Sequence, residues 1–97
     1  AYRHLGQVYY DLRNYEEAIL ALEQGLELGG IPVADAILSH IMLGWSHYAL
    51  DAADDDVEDP CVNALAHFRT AWDILDQLPQ RELGFENLTR QGLDACK

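Results

Sequence analysis

The sequence predicts an all-α fold, made of two antiparallel helix hairpins followed by a C-terminal capping helix. Apolar residues recur every three or four positions along most of the chain, which is the spacing of one helix face. Leu and Ala are abundant and there are only three prolines, a composition that favours helix over sheet. Short segments of turn residues divide the 97 residues into five periodic stretches. A chain of this length is expected to form one domain.

The first two stretches are predicted to form a hairpin, residues 1–29. One stretch runs from Ala1 to Leu12 and the next from Tyr15 to Leu28, with Arg13-Asn14 as a short turn between them. Gly29-Gly30 predicts the end of the second helix, because glycine readily takes the left-handed conformation found at helix ends.

A third helix is predicted from Val33 to Leu50. Pro32 suits the first turn of a helix. The stretch is apolar on most of its circumference, so several of its sides are expected to be buried. The acidic segment that follows, residues 51–59, contains six acids in nine residues. Like charges at this density repel one another and favour an open loop.

The fourth helix is predicted to begin at Asp59-Pro60, since an N-cap aspartate and a first-turn proline both favour a helix start. It completes a second hairpin, residues 33–78. Pro79 separates this hairpin from a fifth helix, which is predicted from about Arg81 to Cys96. Residues 80–97 are therefore predicted to cap the pair of hairpins.

The two hairpins carry similar residues in the same order. Leu5-Gly6 recurs as Leu43-Gly44, 38 residues later, and Ala18 recurs as Ala64, 46 residues later. The offset grows because the second turn contains the acidic segment. Small residues on both helices of a pair let the backbones approach closely. We therefore expect these glycines and alanines to lie in the seam, the line of contact between the paired helices.

This order of residues resembles the tetratricopeptide repeat (TPR) family, whose signature combines an aromatic residue, Leu-Gly, Tyr, Ala and a large apolar residue. The matching residues of the first repeat are Tyr2, Leu5, Gly6, Tyr9, Ala18, Leu22 and Gly25. Those of the second are His40, Leu43, Gly44, His47, Ala64, Phe68 and Ala71. The second repeat departs from the family at the two histidines and in its longer turn, and both lack the closing proline.

The resemblance implies a fragment of an α-α superhelix. Hairpins of this kind bury their apolar faces by stacking, and about three repeats are usually needed for stability. Only two repeats are present here, and the chain starts inside a helical pattern. We therefore expect a piece of a longer protein, self-association or an ordered partner.

In the TPR family the first helix of each hairpin lines a concave groove that binds a partner. The resemblance implies that the first repeat contributes Arg3, Gln7, Tyr10 and Asp11 to this groove. The second repeat contributes Leu38, Ile41, Trp45 and Tyr48. An apolar groove suits an amphipathic helix or an extended apolar peptide, with the aromatic residues as anchors. The alternative is that the apolar residues pack against another helix of this chain, for which the fifth helix is the candidate.

Charge and motifs exclude several functions. The net charge is −11, from 17 acids and 6 bases, which disfavours binding to nucleic acids and to anionic membranes. No Gly-rich phosphate loop, nucleophile elbow or catalytic triad pattern is present. We therefore predict a non-enzymatic protein-interaction module, an adaptor or scaffold without a cofactor. The alternatives are a self-associating structural domain, a homodimer, and a regulatory domain of a larger protein.

No metal site is predicted. The acidic segment lacks the glycine and the terminal glutamate spacing of an EF-hand loop. His40 and His47 share a helix face but are separated by about 10.5 Å, too far to hold one ion. The four histidines are therefore not expected to converge: His4, His40, His47 and His67.

The two cysteines, Cys61 and Cys96, match no zinc or redox spacing. Two cysteines alone do not indicate a disulfide framework. We interpret both as reduced thiols and predict a cytoplasmic location, because such thiols are typical of reducing compartments.

Overall fold

A computed structural model describes residues 2–80 and 83–96 and shows five α-helices and no strand among them. The helices are α1 (Tyr2–Asp11), α2 (Tyr15–Leu28), α3 (Val33–Ala53), α4 (Cys61–Asp76) and α5 (Leu83–Ala95). The prediction of an all-α fold is confirmed. The predicted helix start at Arg81, like Ala1 and Lys97, lies outside the described residues. None of the described helices is both long and apolar enough to cross a membrane.

The turns around α2 form as their residues predict. The helix begins and ends at the expected residues, Tyr15 and Leu28. Gly29 and Gly30 both have positive φ, 70° and 71°, a conformation that costs glycine little because it has no Cβ. Before α2, Arg13 also has positive φ, 61°, and thereby tightens the turn to three residues.

The acidic segment is less open than predicted. α3 continues to Ala53, so the first three residues of the segment are helical, and the expectation of a loop from residue 51 is wrong there. Alanine is the strongest helix former, and two alanines precede the densest run of acids, residues 54–56. Asp59 accepts a hydrogen bond from the backbone N–H of Cys61 at 2.9 Å. α4 begins at Cys61 with Pro60 and not Asp59 as its N-cap residue, so the predicted start is one residue too early.

The seams of the two hairpins are built alike. A Cβ added to Gly6 in α1 would lie 2.5 Å from Cγ of Leu22 in α2. A Cβ added to Gly44 in α3 would lie 2.6 Å from Cε1 of Phe68 in α4. The alanines predicted for the seams are both fully buried: Ala18 and Ala64. The predicted close approach at small residues is confirmed in both hairpins.

The core is centred on α3, which contacts each of the other four helices. One face packs with Leu22 of α2 through Met42 and Leu43. Another face packs on α4 through Ile37 and Ile41. The expectation that several sides of this helix are buried is confirmed.

The interpretation of the cysteines as reduced thiols is wrong. Cys61 and Cys96 form a disulfide, with their Cα atoms 5.3 Å apart. They are 35 residues apart in sequence and meet because α5 packs against α4 and returns the C-terminal end of the chain to the start of α4. The prediction of a cytoplasmic location rested on reduced thiols and loses that support.

Candidate partner-binding groove

A groove of about 380 Å³ opens between α1, α3 and α5. Its lining consists of Gln7, Tyr10, Asp11, Leu38, Ile41, Met42, Trp45, Leu88 and Gln91. We call this surface the α1–α3–α5 groove. Six of the eight predicted groove residues lie in this lining, so the two hairpins do bring these side chains together.

The floor of the groove is apolar and belongs to α3. Leu38 packs against the cluster of Leu22, Met42 and Leu43. Ile41 is only 4% exposed, because most of its surface faces α4. These side chains are therefore core residues whose outer edges form the floor. The two interpretations of these apolar residues, as part of the core and as part of the groove, describe different sides of the same side chains.

Trp45 is the largest residue of the floor. Its ring meets the ring of Phe68 edge-on, with centroids 5.2 Å apart. Edge-to-face packing of this kind fixes a ring more firmly than apolar burial alone. Trp45 therefore presents a preorganised aromatic surface to the groove.

The rim of the groove is polar on both sides. α1 contributes Gln7, Tyr10 and Asp11, and α5 contributes Gln91. Burial raises the pKa of Tyr10, with smaller contributions from the nearby Tyr15 and Asp11. The Tyr10 hydroxyl therefore keeps its proton at neutral pH and remains a hydrogen-bond donor.

The structure places two predicted residues, Arg3 and Tyr48, outside this lining. Arg3 donates a hydrogen bond from Nη1 to Oε1 of Gln7. Its Nε lies 3.5 Å from Oδ1 of Asp35, close enough for an ion pair, but makes no hydrogen bond. Tyr48 lies behind Trp45, at a centroid distance of 5.7 Å, and packs into the cluster around Phe68. Arg3 thus borders the groove through Gln7, while Tyr48 is half-buried and contacts Trp45 from outside the lining.

Sequence reasoning missed three residues of the lining: Met42, Leu88 and Gln91. Leu88 belongs to the apolar periodicity of the fifth helix, which was visible in the sequence. The periodicity of one helix does not show which other helix its face will meet. The wall formed by α5 therefore appears only once the helices are packed.

Acidic side chains line a second cavity, which shares no residue with the groove. A separate open cleft of about 640 Å³ lies between the start of α2 and the end of α3. Its acidic residues are Glu16, Asp51, Asp54, Asp55 and Asp56. A surface with this charge attracts basic partners and repels acidic ones.

Three histidines meet between α3 and α4, contrary to the expectation that the histidines do not converge. Nδ1 of His40 lies 3.2 Å from Nδ1 of His67. The ring of His47 stacks on that of His67, with centroids 5.3 Å apart. His67 comes from α4 and bridges the distance that separates the other two along α3. We call these residues the histidine cluster.

Burial lowers the pKa of two members of the histidine cluster, His40 and His67. Burial lowers the pKa of His67 to about 4, helped by the neighbouring His40 and His47. Burial also lowers the pKa of His40. The Nδ1–Nδ1 hydrogen bond needs one donor and one acceptor, so it is lost if both rings are protonated. Within residues 2–80 and 83–96, no three or more His, Cys, Asp or Glu side chains are arranged to hold a metal ion.

Comparisons with family models, with curated proteins and with solved structures find no match to this chain.

Proposed function

We propose that this chain is a non-enzymatic protein-interaction module, built from two TPR-like hairpins and a capping helix. Its groove takes up a basic amphipathic segment of another protein. The observation that carries the proposal is the α1–α3–α5 groove, in which an apolar floor meets polar rims from two different helices. The proposal assigns the chain no catalytic step.

The shape of the groove favours a peptide segment as the occupant. Its volume, about 380 Å³, accommodates a few apolar side chains. An amphipathic helix presents such side chains at intervals of three and four residues. Trp45 and Leu38 offer the apolar contacts, and the polar atoms of the rim are placed to bind backbone or side-chain groups beside them.

The charge of the chain favours basic residues around those apolar anchors. The chain carries a net charge of −11, and Asp11 lies on the rim of the groove itself. Complementary charge speeds association and sets specificity more than it adds affinity. Binding is therefore expected to slow as salt concentration rises, while the apolar contacts persist.

A pair of substitutions in α5 tests the proposal. Leu88 lines the groove, whereas Leu83, on the same helix, is 73% exposed and lies outside the lining. The probe is an amphipathic peptide of Leu and Lys, about 14 residues long, which spans about four helical turns. Calorimetric titration measures its affinity for wild type, Leu88→Asp and Leu83→Asp. We expect Leu88→Asp to weaken binding about tenfold or more, equivalent to about 1.4 kcal/mol.

Leu83→Asp is the matched control for Leu88→Asp. Both substitutions add one negative charge to α5, so a purely electrostatic association would strengthen equally in both. We expect Leu83→Asp to bind the peptide at least as well as wild type. Equal affinity of the two variants would contradict the groove as the binding surface.

Self-association is a second candidate, favoured by the outer face of the first hairpin. Two leucines that line one pocket there are 42% and 59% exposed: Leu5 and Leu20. A symmetric dimer would cover this face and leave the groove open. Sedimentation equilibrium over a wide concentration range tests the idea, since a monomer at all concentrations excludes it.

A further inference from the structure

We propose that the Cys61–Cys96 disulfide is a redox-controlled latch that keeps α5 in place as one wall of the α1–α3–α5 groove. Reduction is expected to release the C-terminal end of α5 and to weaken binding in the groove. The binding part of this inference rests on the proposed function. The release of α5 does not, and it is measured separately.

The latch ties the end of α5 to the rest of the fold. Cys96 directly follows the last residue of the helix, and Cys61 is the first residue of α4. At its other end α5 is joined to α4 by the short connection through Pro79. With the disulfide in place, both ends of α5 are covalently fixed against α4.

The noncovalent attachment of α5 is thin. Its fully buried residues are small, Thr89 and Gly92. The hydroxyl of Thr89 donates to the carbonyl of Phe85 in the same helix, at 2.8 Å, and so holds no other helix. Among the larger apolar residues, Leu83 is 73% and Leu88 39% exposed.

Phe85 and Leu93 are half-buried and pack against the clusters around Ile37 and Phe68. Arg90 lies over the ring of Trp72 in α4. Burial of large apolar side chains supplies most packing energy, and neither buried residue of α5 has a large side chain. The disulfide therefore adds to a modest noncovalent attachment.

The packing that remains depends on close approach near the latch. A Cβ added to Gly92 would lie 2.4 Å from Cε1 of Phe68, so α5 here touches the ring through its backbone. Leu93 is half-buried in the same cluster, beside Cys96. The contacts of Gly92 and Leu93 are lost together when α5 moves outward, because neither residue reaches far into the core.

The same helix forms the groove wall. Leu88 and Gln91 are its two contributions to the lining. Gln91 lies five residues before Cys96, which is about 7.5 Å along a helix. Release of the C-terminal end therefore moves this wall first, whereas the floor on α3 is held by the core.

Opening the latch is an ordinary thiol–disulfide exchange with a dithiol reductant. One thiolate of the reductant attacks Sγ of Cys61, which is more exposed than the 7% exposed Cys96, and Cys96 leaves as a thiolate. The second thiol of the reductant then attacks the mixed disulfide and releases Cys61. The dithiol is oxidised to its disulfide, two electrons pass to the protein, and the two cysteine thiolates take up protons according to pH.

Hydrogen exchange and peptide titration test the latch on the wild-type chain, oxidised and after treatment with dithiothreitol. We expect the α5 amides to exchange about tenfold faster or more after reduction, because exchange reports local opening. The amides of α2 are expected to stay unchanged. The Leu/Lys peptide is expected to bind about tenfold more weakly, and the double variant Cys61→Ser, Cys96→Ser to resemble the reduced wild type with or without dithiothreitol.

The outcomes separate the two proposals. Unchanged exchange in α5 after reduction would overturn the latch. Tighter peptide binding after reduction would also overturn it, since α5 would then be a cover and not a wall. Faster exchange in α5 with no peptide binding in either state supports the latch and contradicts the proposed function.

Discussion

The first and second hairpins share one kind of seam but differ in what lies beyond it. In α1 the only fully buried residue is Gly6, and the outer face of this hairpin leaves large apolar side chains in solvent. In α3 seven residues are buried, and α5 covers the second hairpin on its far side. Phe68 shows the difference most clearly, because glycines from α3 and α5 press against its ring.

This difference shows that the seam brings two helices together but does not by itself make a core. A hairpin buries its large side chains only when another helix stacks on it. The second hairpin has neighbours on two sides, α2 and α5, and the first has one. We therefore expect stability to be concentrated in residues 33–96, and the first hairpin to open more readily.

The largest loss of stability is expected when alanine replaces either of the two equivalent seam residues, Phe68 and Leu22. Phe68→Ala is expected to cost about 4 kcal/mol of unfolding free energy, since it leaves a cavity enclosed on all sides. Leu22→Ala is expected to cost about 2.5 kcal/mol, because the thinner first hairpin can collapse onto the smaller residue. Urea denaturation of both variants measures the difference. A larger cost for Leu22→Ala would reverse the comparison.

The disulfide gives the second hairpin an advantage that the first lacks. In the chain-entropy account, a link between residues 35 apart stabilises by about 3 to 4 kcal/mol. The double variant Cys61→Ser, Cys96→Ser is expected to lose about this much, measured by urea denaturation. Addition of dithiothreitol should bring wild type to the same value and leave the variant unchanged. A variant as stable as oxidised wild type would show that the link contributes nothing.

The two seam glycines differ in how freely their neighbours can move. An added Cβ at Gly6 meets Cγ and Cδ2 of Leu22, an aliphatic side chain with rotatable bonds. At Gly44 it meets the ring of Phe68, and Gly92 of α5 approaches the same ring atoms. Alanine in a helix gains up to about 1 kcal/mol over glycine, which offsets part of the strain. We expect Gly44→Ala to destabilise by about 2 kcal/mol and Gly6→Ala by less than about 1 kcal/mol.

Thermal unfolding followed by circular dichroism distinguishes these glycine variants. The control is Gly84→Ala in α5, where an added Cβ meets nothing within 4 Å. Its expected effect is neutral to slightly stabilising. Equal losses of stability in Gly6→Ala and Gly44→Ala would mean that the neighbours of Phe68 do not restrict its ring.

The smallest expected effect is a loss of stability at low pH, and it arises in the histidine cluster. The pKa of His67 falls from its ordinary value of 6.5 to about 4 on folding, so the unfolded chain binds this proton more tightly. Stability is therefore complete above about pH 6.5, declines as pH falls towards about 4, and is constant below that. Because His67 is only half-buried, solvent screening reduces the loss to about 1 kcal/mol.

A difference measurement isolates this effect from the many acids of the chain. The groups that face His67 are His40 and His47, and Glu23 of α2 lies 4.0 Å from His47. The loss of unfolding free energy between pH 7 and pH 4 is measured for wild type and for His67→Asn. The variant is expected to lose less by about 1 kcal/mol. Identical losses would show that His67 does not titrate in this range.

Most of the fold could be predicted from local patterns. Glycine pairs and short turns set the ends of α2. The repeated Leu-Gly and Ala positions predict both seams from the sequence alone. The errors concern contacts between residues far apart in sequence. Cys61 and Cys96 meet only because α5 runs back along α4, and His67 joins His40 only because α4 lies against α3.

The candidate groove likewise contains residues that the sequence predicts and residues that it does not. Gln7, Tyr10 and Leu38 were placed by the repeat pattern, since each lies on the first helix of its hairpin. Leu88 was not, because a capping helix has no equivalent in the repeat. Tyr48 was placed in the groove by analogy, and its large ring instead fills space beside Phe68, where burial of an aromatic side chain is more favourable.

The central claim is that the α1–α3–α5 groove, and not the acidic surface in general, binds a basic amphipathic segment. Backbone amide NMR signals of the oxidised chain, recorded during titration with the Leu/Lys peptide, test this most directly. The account predicts saturable shifts at Gln7, Tyr10, Leu38, Trp45 and Gln91 that persist at high salt. Shifts confined to residues 51–59, or shifts that vanish with salt everywhere, would contradict it.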